Sequence, residues 1–215
     1  MTDADVAQYL QEHPEFLDVH ADILAKINIP DPHDGRAIPI AERQVSQLRD
    51  RARILEEKLA ELIKFGEEND AISERMHRAT LALISAPTLE DVLRTLYFHL
   101  REDFSVPHIA LRIWEVDNPP ALDEFSAISE EVLAFAQSLT APYCSHHPMF
   151  DSIEWFAEEQ PPLQSYAYIK LGGGNLQGLM VLASEDVERF YPEMGTLYLQ
   201  RLGDITSAAL ARYVD

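Results

Sequence analysis

SYAYIKLGGGNLQGLMVLAS, residues 165–184, is the stretch on which the fold turns. Residues 165–171 alternate as a strand with two faces, because side chains two apart share a side of a pleated chain. GGGN at 172–175 is a glycine-rich loop of the length that closes an antiparallel hairpin. Residues 176–184 return as the second strand. Three glycines also invite a phosphate-loop reading, but Gly172, Gly174 and Gly178 do not make G-x-G-x-x-G. A strand follows them, where a phosphate loop needs a helix.

Downstream, residues 192–213 read as a final helix with Met194, Leu197, Leu202, Ile205, Ala209 and Leu210 toward a core. Upstream, 108–114 reads as a strand rich in β-branched and aromatic residues. Ile109, Leu111 and Ile113 face one side; His108, Arg112 and Trp114 face the other. The segment 122–128 is expected to be a weaker strand. Ser129 starts a short helix with two acids in its first turn, where the helix dipole favours them. Residues 140–159 read as irregular and rich in aromatics and histidine. Pro87 breaks the chain, and Thr88 with Asp91 caps a helix whose core face is Val92, Leu93, Leu96, Tyr97 and Leu100. Strands interleaved with helices in this order make an antiparallel sheet with helices packed on it, an α+β domain over 87–215.

Residues 39–86 read as one long helix of roughly 70 Å at ~1.5 Å per residue. Val45, Leu48, Ala52, Leu55, Leu59 and Leu62 are spaced alternately three and four apart. That is a coiled-coil seam, and it marks these six as a dimer interface. Past Leu62 the better apolar line is Phe65, Asn69, Ile72, Met76, Ala79 and Leu83, a step of three where four is due. Gly66 sits beside this step. The helix is therefore expected to seek a partner before the step and to join the α+β domain after it. The step is also where a ligand-dependent register shift would pass along the helix.

Residues 1–38 read as a small helical module and linker. Thr2 with Asp5 fits a capping box, and Val6, Tyr9 and Leu10 form a stripe. Pro14 opens a second helix carrying Phe16 and Leu17, and Ile23, Leu24 and Ile27 supply a third stripe. PDPHDGRAIP, 30–39, reads as a turn-rich linker.

The chain has 215 residues and a net charge of −20, with the acids spread rather than gathered in a tail. Such a field disfavours nucleic acid and anionic membrane as partners. No apolar run is long enough to span a bilayer. The first residues lack the basic start and apolar core of a signal peptide. With the single Cys144, cytoplasmic residence is expected.

The residues 165–212 resemble the closing half of a GAF domain. VAQYLQEHPEFL at 6–17, IPIAERQVSQLRDR at 38–51 and RFYPEMGT at 189–196 resemble, more specifically, the DUF484 family of bacterial proteins across essentially the whole chain. The resemblance implies a GAF-like fold behind a helical N-terminal region and assigns no biochemical function. GAF relatives include cyclic-nucleotide binders, haem and bilin sensors, and degenerate modules that only dimerise. The cyclic-nucleotide signature is absent here, and one cysteine cannot run the resolving chemistry of a GAF-type methionine sulfoxide reductase.

PYCSHHPMFDSIEWF, 142–156, corresponds to the connection that closes the ligand pocket in the GAF plan. Tyr143, Cys144, His146, Trp155, Phe156, Tyr166, Tyr168 and Lys170 are the pocket candidates, since aromatic walls with a few polar groups suit a small molecule. Lys170 shares a strand face with Tyr166 and Tyr168 and could meet an anion. Cys144, His146, His147 and Asp151 are metal ligands by type, but their spacing matches no structural zinc pattern, so no metal site is expected. No catalytic residue is assigned and no cofactor is named. The expectation is a cytoplasmic, non-enzymatic GAF-like sensory, signalling or adaptor protein, dimeric through its long helix, with a small-molecule or protein partner. Its rival is a ligand-free interaction module.

Overall fold

The computed structural model describes residues 2–21, 23, 28–30, 37–156 and 162–214. The chain divides into two compact units, Met1–Glu68 and Asn69–Asp215. The division falls inside the long helix, within the expected register change.

In the first unit, helix α1 (Asp3–Glu12) starts at a capping box. The Thr2 N–H donates to Asp5 Oδ2 at 2.6 Å, and the Asp5 N–H donates to Thr2 Oγ1 at 3.3 Å. Pro14 precedes helix α2 (Glu15–Val19). The rings of Tyr9 and Phe16 meet edge-on at 5.9 Å, so α1 and α2 pack through them. The predicted stripes at Leu17 and at Leu24 and Ile27, with linker residues 31–36, lie outside the described residues and side chains. The linker is more ordered at its ends than its composition suggests. Strands β1 (Asn28–Pro30) and β2 (Ala37–Pro39) pair antiparallel, Ile29 opposite Ile38.

Helix α3 spans Ile40–Ser85. In the second unit its apolar line is buried as expected: Met76, Ala79, Leu83 and the following Ala86 all enter the core. The carbonyls at its C-terminus lack helical partners. Arg212 donates to the Ile84 carbonyl at 2.9 Å and the Tyr213 hydroxyl to that of Ala86 at 2.6 Å. The end of the chain thus caps the end of α3. Helix α4 (Leu89–Glu102) begins at Thr88, whose Oγ1 accepts from the Asp91 N–H at 3.1 Å. It buries Val92, Leu93, Leu96 and Leu100.

The sheet has four antiparallel strands in the order β3-β6-β5-β4: β3 His108–Trp114, β4 Tyr143–Ser145, β5 Ser165–Gly173 and β6 Leu176–Ser184. The hairpin registers Tyr168 opposite Val181 and Gly173 opposite Leu176. Its turn narrows to Gly174-Asn175, with Gly174 at φ +60°, where glycine carries no Cβ penalty. One sheet face, with Leu111, Ile113, Ile169, Leu171 and Met180, lies under α4, the end of α3 and helix α6 (Leu197–Leu210). α6 approaches β5 closely at Gly203, where a Cβ would stand 2.6 Å from Ile169 Cγ2. The other face carries Ala110, Tyr166, Tyr168, Leu179 and Val181 under helix α5 (Glu130–Ser138).

Three expectations are corrected. The segment 122–128 is not a strand: a single 3-10 turn, Asp123–Phe125, lies against β3. Its Ser126 N–H bonds locally, to Asp123, and Asp123-Glu124 supplies poor strand residues after two prolines. The final helix starts at Leu197 rather than Pro192, because 191–194 closes a turn through the Met194 N–H and the Tyr191 carbonyl. The stretch from 140 is not wholly irregular, since β4 pairs with β5 and a 3-10 segment runs Phe150–Trp155; residues 157–161 lie outside the described residues. No helix among the described residues is long and apolar enough to cross a membrane.

Candidate functional site

Strand alternation builds an aromatic cluster on the α5 side of the sheet. Tyr168 on β5 is its centre. Phe135 of α5 meets its ring edge-on at 5.4 Å, Phe150 at 5.7 Å, and the cross-strand Tyr143 lies at 6.4 Å. Tyr166, two residues back on the same face, stacks at 6.5 Å. Edge-on and offset arrangements suit the charge distribution of aromatic rings. Phe150 continues the cluster to Trp155 at 6.0 Å, and the Arg112 guanidinium sits 5.0 Å from the Trp155 ring centroid, a cation–π contact.

The polar groups of the cluster are mostly paired. The Tyr168 hydroxyl accepts from the Met149 N–H at 2.8 Å and lies 2.9 Å from Ser152 Oγ. Ser152 in turn donates to the Met149 carbonyl at 2.7 Å. These bonds fix the connection after β4 onto the sheet. Burial raises the Tyr168 hydroxyl above the usual tyrosine range, against the lowering effect of the bonds from Met149 and Ser152. Tyr166 is raised by burial too, and its hydroxyl donates to the Leu163 carbonyl at 3.2 Å. Both stay neutral at ordinary pH. The indole N–H of Trp114, on the same face, is buried without a hydrogen-bond partner among the described residues, an uncommon state for a donor.

The predicted pocket residues separate. Tyr143, Trp155, Phe156, Tyr166 and Tyr168 gather on the aromatic face, with Tyr166 and Tyr168 fully buried and Tyr143 exposed. Lys170 keeps their strand parity but reaches solvent, and His146 is exposed. Cys144 points to the opposite, aliphatic face, where burial pushes its thiol up to about 11. A thiol held protonated is a poor nucleophile and metal ligand. Among the described residues no group of three or more His, Cys, Asp or Glu side chains is placed to hold a metal ion. Phe135, Phe150 and Ser152 complete the cluster without having been singled out. The alternation on β3 places Arg112 and Trp114 with it.

The long helix presents the second candidate surface. Val45, Leu48, Leu55, Leu59 and Leu62 are exposed by 46%, 62%, 66%, 58% and 66%, and Ala52 is exposed with them. Ile54 and Ile63, outside the predicted seam, are also exposed and widen it.

The sequence pattern of the family described as "Protein of unknown function, DUF484" matches residues 1–215. A curated relative, "Uncharacterized protein YigA" of Salmonella typhimurium, is 22% identical over 225 residues, covering 100% of this chain and 93% of the relative. Among solved structures, the GAF domain of a phosphoenolpyruvate-protein phosphotransferase from Coxiella burnetii superposes with a TM-score of 0.51 at 16% identity. It covers 66% of this chain and 93% of that domain. At that identity the likeness is one of fold, and the fold is GAF-like.

Proposed function

We propose, from the premise that this chain belongs to the DUF484 family, that it is a regulatory protein, a signalling or adaptor component rather than an enzyme. In this reading it self-associates through the seam of α3 and carries a GAF-like module. Residues 1–38 form an accessory helical module, 39–86 the dimerising helix, and 87–215 the module, all within the cytoplasm. The observation that carries the reading is the exposed seam. Five large aliphatic side chains at coiled-coil spacing stand 46–66% exposed along one helix face. Each gains on the order of 1 kcal/mol when a second helix covers it. Stripes of this kind are partner-seeking surfaces.

The test is the mass of the native chain in solution by light scattering at micromolar concentration. Twice the monomer mass is expected, falling to the monomer mass in the double variant Leu55→Asp, Leu62→Asp with its helical circular dichroism largely kept. A native chain that runs as a monomer overturns the reading.

For the aromatic face two readings stand on different observations. The Trp114 donor, unpartnered among the described residues, and the Arg112–Trp155 stack favour a planar ligand there. The complete burial of Tyr166 and Tyr168, with the Tyr168 hydroxyl already bonded, favours an interaction module whose aromatic face is filled by its own rings. Native mass spectrometry of the protein purified from its own host, with the released ligand identified, separates them: a retained planar molecule supports the first, protein free of one the second.

A further inference from the structure

On the other side of the sheet, within the unit Asn69–Asp215, a cavity of about 360 Å³ opens between α3, the turn from α4 to β3, and the segment before α6. Its walls are apolar and largely buried: Met76, Val106, Phe190, Leu199 and Leu202 are each less than a tenth exposed. Two arginines join the lining, along with Ser105 and Tyr198. Arg75 is exposed and makes no hydrogen bond or ion pair with any described residue. Arg189 is half-buried, donates to the Phe104 carbonyl and lies 5.9 Å from the Phe190 ring. Neither has a carboxylate partner among the described residues, although the chain carries 37 acids against 17 bases. Other arginines of the same unit do find acids, as Arg78 finds Asp103 and Arg94 finds Asp91.

A recess with an apolar interior and two guanidinium groups that lack a carboxylate among the described residues has a definite complement. Guanidinium is weakly hydrated and matches a carboxylate with parallel hydrogen bonds. The interior rewards hydrocarbon. A second void of only about 10 Å³, too small for a ligand, shares Met76, Leu100, Phe104 and Leu202 with the first, so a hydrocarbon tail is held by the larger cavity alone.

We propose that this cavity binds a small anionic amphiphile, its carboxylate met by Arg75 and Arg189 and its hydrocarbon tail held by the apolar walls. The size suits a tail of about ten carbons, since small-ligand cavities run from roughly 300 to 1,000 Å³. The site is separate from the aromatic face and from the α3 seam, and it stands whether or not the chain dimerises.

The experiment is calorimetric titration of the full-length chain with decanoate and, in parallel, with the neutral decanol. It is repeated on the Leu55→Asp, Leu62→Asp variant so that self-association is read apart from ligand binding. Saturable binding of one decanoate per chain is expected in both proteins, with decanol about tenfold weaker or more. Arg75→Gln changes an exposed residue without a hydrogen-bond or ion-pair partner among the described residues, so the fold is kept. It should weaken decanoate by about fivefold and leave decanol unchanged, because only the charged partner gains from the guanidinium. Met194→Trp, which fills the cavity from its rim, should abolish both. Absence of saturable decanoate binding overturns the proposal, as does equal affinity for decanol, or binding that survives Met194→Trp. Binding seen only in the monomeric variant would mean that a second copy fills the cavity, and overturns it too.

Discussion

The two halves of α3 carry apolar residues at the same three-and-four spacing and meet opposite surroundings. At 45–62 the large aliphatic side chains are 46–66% exposed; at 76–83, Met76, Ala79 and Leu83 are 7%, 5% and 1% exposed. Periodicity fixes which side of a helix seeks cover and says nothing of who provides it. For the second half, α4 and α6 provide it from the same chain. The first half keeps its stripe in water, which is why self-association is read from that half alone.

The contrast breaks most readily by truncating one leucine in each half. Leu83→Ala should cost about 2–5 kcal/mol, because it removes a fully buried side chain and leaves a cavity. Leu59→Ala, placed in the Leu55→Asp, Leu62→Asp background to remove any partner, should stay within about 0.5 kcal/mol. Urea midpoints of the two variants measure the difference. Equal losses would mean that the first half is covered within the chain, and the comparison would fail.

The helix and the hairpin were legible for one reason: their patterns are long. Strand 108–114 begins and ends where its two-faced pattern does, and 176–184 where the return from the glycine loop places it. Thr2, Thr88 and Ser129 cap their helices as their spacing to the next acid or first turn implies. Short elements escaped. Tyr143–Ser145 spans three residues and forms because β5 offers it an edge, a fact of tertiary structure with no periodic trace. The same holds for the pairing of Asn28–Pro30 with Ala37–Pro39. The pocket candidates show a subtler limit. Tyr143 and Cys144 are neighbours in the chain, but strand alternation sends one toward the rings and the other into the aliphatic core. Arg75 and Arg189 lie over a hundred positions apart, so their shared cavity could be found only from the fold.

A smaller effect sharpens the boundary between the halves. The Tyr198 hydroxyl donates to the Asn69 carbonyl at 3.2 Å and lies 3.3 Å from Ser73 Oγ, which ties α6 to the first turns of α3 in the second unit. Tyr198→Phe keeps the ring beneath Arg201 and removes only these bonds. A loss of about 0.5–1 kcal/mol in the urea midpoint is expected, the lower part of the usual range because the bonds are exposed. No loss would show that water serves these groups equally well. The buried region of α3 would then begin nearer Ile72 than Asn69.

The smallest change tests the step in the seam itself. Gly66 lies inside α3, and a Cβ added there meets nothing within 4 Å. Glycine in a helix interior costs up to about 1 kcal/mol relative to alanine, mostly through the freedom it keeps when unfolded. Gly66→Ala should therefore slow amide exchange around residues 62–70 by about fivefold, the ratio that 1 kcal/mol gives, while solution mass and urea midpoint stay as they are. The readout has to be local, because this turn unfolds without disturbing the buried core of the second unit. Faster exchange, or a change in mass, would place a partner's backbone against Gly66. The partner-seeking half of α3 would then continue through the step instead of ending at Leu62.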